Sequence, residues 1–204
     1  MTTPIYHITH LKNLASILQQ GCLWSDYRRI QFGFSSENIG YSHIKERRMK
    51  HPVVVAERQT LGHYVPFNFC PRSVMLYVVS RGHENYQGGQ TEILHLVSSV
   101  EIVVQHQRPY FFTDIHADLG YAQQYTDLQN LNDLNWRAIR TNSWGGDADI
   151  RSAKQAEFLV HDFLPWTTIE KIIVRSETVA GQVRTILSTA THQPTVLVQP
   201  DWYY

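Results

Sequence analysis

Glu157 is the residue whose placement calls for a chemical explanation. It heads the apolar run of RSAKQAEFLVHDFLPW, residues 151–166. Read with a period of two, Ala156, Phe158 and Val160 point one way and Glu157, Leu159 and His161 the other. A strand here aims the carboxylate at a pocket, a partner or solvent. Burying it without a partner is costly. Taken alone, the stretch equally describes a glutamate at the exposed start of an edge strand, the commoner fate of such a residue.

Other polar groups narrow the chemistry. His7 and Thr9 lie on one face of the strand PIYHIT, where it turns into a helix that Thr9 is placed to cap. Such corners present side chains and free N–H donors to ligands, although a capping threonine and a core histidine explain both residues as well. His7 and His10 stand at i and i+3 without an HExxH pattern or a third ligand nearby, so no metal site is expected. No GxSxG occurs, and Gly88-Gly89-Gln90 is too short for a phosphate loop. Cys70 sits among apolar residues and reads as an inert buried thiol. Arg48 lies in the charge run KERRMK, which by default is a solvated face. An acid, a histidine and an arginine on distant segments remain.

The bounds are those of an ordinary globular chain. Its 204 residues are expected to form one domain with a single core. Eighteen basic and eighteen acidic residues cancel, so nucleic-acid contact requires a local patch. Basic residues do cluster in the first third, from Arg28 to Arg72. Cys22 and Cys70 are the only cysteines and form no CxxC, which suits a reducing compartment. Without a signal peptide or a long apolar run, the chain is expected to be cytoplasmic and to have no membrane contact.

The positioning elements follow from periodicity. Residues 4–9 predict a strand and 10–20 a helix stopped by Gly21. Residues 24–40 read as a loop, 41–50 as partly helical, and SVMLYVVS, led in by Arg72, as a buried strand. Strands are expected around 92–105 and 108–113, a helix over 121–139, and a mobile loop with exposed Trp144 and the Gly145-Gly146 pair before Glu157. A strand, a helix and a last strand close the chain. The sum is one α+β domain.

The segments PIYHITHLKNLASIL, IKERR, HYVPFNFCPRSVMLY, YQGGQTEILHLVSS, FTDIHA, KQAEFLVHDFLPW and DWYY together resemble the DarT family of bacterial DNA ADP-ribosyltransferase toxins, almost end to end and in order. The resemblance implies an ADP-ribosyltransferase-like fold with two packed β-sheets around an NAD cleft and flanking helices. It implies NAD as co-substrate, no metal, and transfer of ADP-ribose to a base, thymine, in single-stranded DNA. As partners it implies single-stranded DNA and a cognate antitoxin with macrodomain ADP-ribosyl-hydrolase activity. Glu157 matches the catalytic glutamate and Arg48 the essential arginine, while His7, Ile8, Thr9, Ser16, Trp24 and Arg48 are implied at NAD. Tyr41, Asn68, Arg72, Met75, His116, Trp144 and Arg151 are implied at DNA. Asn68 and Val74 depart from the family's VPFYF and PRSPM; Asn68 replaces a ring near the DNA, which bears on affinity or base preference rather than on NAD chemistry. The implied chemistry builds positive charge on a ribose, which a fixed carboxylate stabilises. A silent binding module of the same fold, or a transferase acting on RNA or protein, are the alternatives.

Overall fold

The computed structural model describes residues 2–57 and 59–204. Strand β1 (Pro4–His10) runs into a short 3-10 turn and then α1 (Leu14–Gln20), which ends at Gly21 with φ 68°. That left-handed stop turns the chain directly into β2 (Cys22–Trp24). The 3-10 turn is capped by His10, whose side chain accepts from the Lys12 N–H, and α1 starts from Asn13 without a side-chain cap; the Thr9 hydroxyl accepts from Asn13 Nδ2 at 3.0 Å instead. The stretch expected as one loop after Trp24 begins with α2 (Asp26–Gln31), capped by the Ser25 hydroxyl, and only then becomes irregular up to α3 (Ser42–Arg48).

β3 (Tyr64–Asn68) is followed by α4 (Val74–Arg81), where a buried strand is predicted. The Ser73 hydroxyl accepts from the Leu76 N–H at 3.1 Å and starts a helix. Leu76 and Val79 are buried three residues apart while Met75 and Tyr77 are exposed, a helical spacing that a run rich in valine conceals. Arg72 therefore leads into a helix. β4 (Ile93–Ser99) is buried at every position and is followed by α5 (Val100–Gln105) and β5 (Tyr110–Thr113). The helix expected over 121–139 shrinks to α6 (Trp136–Arg140), because β6 (Gln124–Tyr125) and a 3-10 segment capped by Asp127 interrupt it. α7 (Ala148–Ala153), β7 (Glu157–His161), β8 (Phe163–Pro165), β9 (Lys171–Val174), α8 (Glu177–Leu187) and β10 (Thr195–Val198) complete the order.

The two sheets are unequal. Eight strands form one sheet in the order β10-β9-β4-β1-β3-β7-β5-β6, and β2 pairs with β8 in a separate ribbon. β7 is thus an interior strand between β3 and β5, with Glu157 opposite Asn68. The exposed edge-strand reading of Glu157 fails for this reason. The predicted alternation holds: Phe158 and Val160 enter the main core, while Leu159 joins a second cluster with Tyr64, Phe111 and Ala117. Both faces of the sheet are covered here, so a polar side chain on β7 stays only if it is partnered. Among the described residues, no helix is long and apolar enough to cross a membrane.

The chain's end is pinned by a buried histidine. On β4, His95 Nε2 donates to the Pro71 carbonyl at 2.9 Å, and its Nδ1 lies 3.2 Å from the Tyr203 hydroxyl, which in turn is 2.8 Å from the Ile93 carbonyl. Burial pushes the His95 pKa down to about 4. The unfolded chain therefore takes up this proton first as pH falls, so stability is full above the ordinary histidine value and declines below it. Between pH 7 and pH 5, His95 is expected to cost about 2 kcal/mol. Denaturant unfolding at the two pH values measures the loss, and His95→Gln should remove roughly one proton from its slope.

Candidate active site

Three elements bring Glu157 and Arg48 together. β7 places the carboxylate on the face of the sheet away from the main core, and α3 lays Arg48 across it. Arg48 NH1 donates to Oε1 and NH2 to Oε2, each at 3.0 Å, in a two-pronged pair across 109 residues of sequence. The turn after β5 adds the Ala117 N–H, 3.1 Å from Oε1. Glu157 is 5% exposed. Burial alone would raise its pKa, but the Arg48 guanidinium, together with His116 and the Ala117 N–H, brings the carboxyl below the usual range. For Arg48, burial works against the charge and Glu157 again outweighs it, so the guanidinium is held more firmly protonated than an exposed arginine. The charge-run reading of Arg48 as plain surface is therefore wrong.

Local packing explains why α3 ends at this place. A Cβ on Gly62 would clash with the Met49 sulfur and lie 3.1 Å from the Met49 Cα, so only glycine lets the end of α3 sit this close to the chain leading into β3. Beside Arg48, Arg47 donates to the fully buried carboxylate of Asp118. Asp118 in turn donates its backbone N–H to His116 Nδ1 at 3.3 Å. That bond leaves the proton of a neutral His116 on Nε2, which lies 3.8 Å from Glu157 Oε1. Burial lowers the His116 pKa, which favours the neutral ring.

One cleft of about 300 Å³ gathers most of the expected residues. His7, Ile8, Thr9, Ser16, Trp24, Tyr41, Arg48, Asn68, Met75, His116 and Glu157 all line it. His7 Nδ1 donates to the Pro66 carbonyl at 2.9 Å, and burial lowers its pKa, so a neutral ring is held with Nε2 as its remaining acceptor. The indole N–H of Trp24 is buried in the cleft wall with no partner, a donor without an acceptor. The Asn68 amide lies 3.5 Å from the Tyr6 carbonyl, and the Tyr41 ring rests 4.2 Å from that of His83.

Three expected DNA contacts stand outside the cleft. Arg72 faces a separate cavity. Trp144 is half-buried rather than exposed, its indole N–H donating to the Tyr204 hydroxyl at 3.2 Å and its ring meeting Tyr77 edge-on. Arg151 lies on α7 with its side chain in solvent.

Several cleft residues carry no signal in the sequence. Asp26 Oδ1 accepts from both Lys45 and Arg29 at 3.2 Å, joining α3 to α2 inside the cleft. Burial would raise the Asp26 pKa, but Lys45 and Arg29 bring it below the usual value. Asn13 ties the irregular segment after α2 to the main body, accepting from the Glu37 N–H at 2.7 Å and donating to its carbonyl at 3.0 Å. The spacing Thr9-x-x-x-Asn13 is the one hint of this arrangement. Among the described residues, no group of three or more His, Cys, Asp or Glu side chains is placed to hold a metal ion.

A buried carboxylate gripped by an arginine, facing a cleft lined by a neutral histidine and one unpaired indole donor, suits stabilisation of a developing cation on a bound ligand. Comparison with known proteins agrees with that chemistry. Residues 6–204 match the family described as DarT, ssDNA thymidine ADP-ribosyltransferase. The chain belongs to the DarT family. A DNA ADP-ribosyl transferase from Thermus sp. (strain 2.9) is 44% identical over 204 residues, spanning 99% of this chain and 96% of that protein. The solved structure of Thermus sp. 2.9 DarT in complex with ADP-ribosylated ssDNA superposes with TM-score 0.92 at 43% identity, covering 99% of this chain and 96% of the other. The same DarT in complex with NAD+ gives TM-score 0.88 at 40% identity, covering 99% and 98%. The ADP-ribosyltransferase-like fold expected from the DarT resemblance is thereby established, with its second sheet reduced to the β2–β8 ribbon.

Proposed function

We propose that this chain transfers ADP-ribose from NAD to a thymine base of single-stranded DNA and releases nicotinamide. The observation that carries the assignment is the Arg48–Glu157 pair, buried in a cleft that also presents His7 and Thr9. In this reading the neutral His7 ring and the Thr9 hydroxyl bind the nicotinamide and its ribose. Ile8, Ser16 and Trp24 complete the NAD wall, with the Trp24 indole N–H finding its acceptor on the cofactor. The bond between nicotinamide and ribose breaks with its electron pair leaving on nicotinamide. Glu157, fixed in place by Arg48, stabilises the cationic ribose, a contribution of about 3–4 kcal/mol for one well-aimed group.

A nitrogen of the base then attacks and loses its proton. Arg48 is held protonated, and the His116 proton sits on Nε2 while its bare Nδ1 already accepts from the Asp118 N–H, so of the three groups the Glu157 carboxylate is the one left to receive it. Tyr41, Asn68, Met75 and His116 line the route of the base, and Arg72, Trp144 and Arg151 serve the strand beyond the cleft.

Damage to DNA bases makes the chain the toxin of a pair, whose antitoxin is a macrodomain-type ADP-ribosyl hydrolase. Incubating the protein with NAD and a panel of oligonucleotides, followed by mass spectrometry, tests the reaction. Thymine-containing single strands should gain the mass of one ADP-ribose, and duplexes of the same sequence should gain little, because a paired base must first leave the stack. Equal labelling of both forms, or labelling of strands without thymine, contradicts the assignment.

A further inference from the structure

A second cavity, of about 640 Å³, adjoins the loop that precedes Glu157. Asn142 and Lys154 at the ends of that loop face this cavity, while Gln155 and Glu157 face the first. Its walls include Arg72, Trp136, Arg140 and Trp202, and the sole carboxylate among its lining residues is Asp201. Neither arginine forms an ion pair among the described residues. The Arg72 guanidinium lies over the Tyr204 ring at 4.4 Å with its buried Nε unpartnered, and that of Arg140 lies over Trp136 at 5.1 Å. Lys154 is not available to a ligand: its buried ammonium already donates to the carbonyls of Ile139 and Thr141 at 3.0 and 2.8 Å and lies 3.4 Å from the Cys70 sulfur.

Two guanidinium groups held on aromatic faces, with no carboxylate partner and tryptophans alongside, match the phosphate and the base of a nucleotide. Asn68 faces the first cavity opposite Glu157 and Arg72 faces the second, so four residues of chain, at most roughly 14 Å, connect them. At about 3.4 Å per stacked nucleotide, this distance is covered by about four nucleotides.

We propose that the second cavity is a subsite for a nucleotide of the acceptor strand flanking the modified base, with its phosphate on Arg72 and Arg140 and its base against Trp136 and Trp202. The proposal rests on the chain's reading as a DNA ADP-ribosyltransferase. It adds Arg140, Trp136 and Trp202 to the recognition surface and places Arg72 there by geometry. The site reads backbone charge and a stacked ring, so it selects acceptor length before sequence.

A length series of fluorescently labelled single strands with one thymine, extended from a dinucleotide to either side of that base, tests the subsite by anisotropy. Mass spectrometry on the same strands reads ADP-ribosylation. Affinity is expected to rise about tenfold once the strand reaches roughly four nucleotides beyond the thymine on one side. Arg140→Ala, at an exposed position, should erase that step and reduce the slope of log affinity against log salt by ~0.7. Arg140→Lys should restore the slope but not the whole step, since it keeps the charge and loses the planar fork. Affinity that does not step with length, or an Arg140→Ala variant that retains both step and slope, overturns the subsite even if every strand is ADP-ribosylated. A step without any ADP-ribosylation supports the subsite and removes the proposed activity instead.

Discussion

Glu157→Gln is expected to lower ADP-ribose transfer about 10²–10³-fold, the usual effect of removing one charge-stabilising group from a preorganised site. The substitution preserves shape but not the hydrogen-bond arithmetic. Both Arg48 prongs and the Ala117 N–H converge on the carboxylate, and a carboxamide offers one oxygen where there were two. At least one buried donor loses its acceptor, which costs about 1–3 kcal/mol of stability in addition to the rate. Single-turnover transfer at saturating NAD and DNA isolates the chemical step, and denaturant unfolding reads the stability. A variant within tenfold of the parent rate would remove Glu157 from the chemistry.

Arg48→Ala should be more damaging, and its residual activity should depend on pH in a way the parent's does not. In the parent, Arg48 keeps the Glu157 pKa below the ordinary carboxylate value, so the carboxylate stays charged across the neutral range. Its contribution to stability is complete above the unfolded glutamate value and is lost as pH falls through the lower folded one. Without Arg48, burial is the dominant influence and raises the pKa. The residual rate should then climb as pH rises through the neutral range, following ionisation of Glu157. Leaving the carboxylate buried without its cation costs about 3–5 kcal/mol of stability. A pH–rate profile of the variant checks the sign. If the profile is flat and only the DNA concentration for half-maximal rate rises, Arg48 is a phosphate contact and the carboxylate does not depend on it.

The same geometry alters what is expected of the neighbouring lysines. Read as a charge run, Lys45 and Lys50 look like interchangeable parts of one solvated face. Lys45 is instead committed to Asp26 within the cleft, while Lys50, beyond the end of α3, stays in solvent.

What the sequence made legible was local. The alternation around Glu157 identified the strand face correctly, and Gly21 ended its helix as expected. The valine-rich run 73–80 reads as a strand when its burial is unknown, although Ser73 as a helix cap is the better signal. Arg48 could not be lifted from its charge run by spacing, since its partner lies 109 residues away, and only the resemblance assigned it. Asp26, Lys45 and the Asn13–Glu37 tie went unread for the same reason: polar contacts between short helices and irregular chain have no period. The glycine pair beside Trp144 predicts an exposed ring, yet Tyr77 and Tyr204 enclose it.

Neither α2 nor α3 has a buried residue of its own. The wall they form over the cleft is attached through charges: Arg28 on Asp162, Asp26 with Arg29 and Lys45, Arg47 on Asp118, and Arg48 on Glu157. A wall fastened by apolar packing would be indifferent to ionic strength, whereas the partly exposed pairs, Arg28 with Asp162 and Lys45 with Asp26, weaken as salt screens them and the buried Arg48–Glu157 pair is largely spared. The outer attachments of the cleft wall are therefore its salt-responsive ones, above a sheet whose hydrophobic faces hold their shape. The attachment of the cleft wall and the stability of the sheet beneath it are governed by different forces, and each is free to be adjusted without the other.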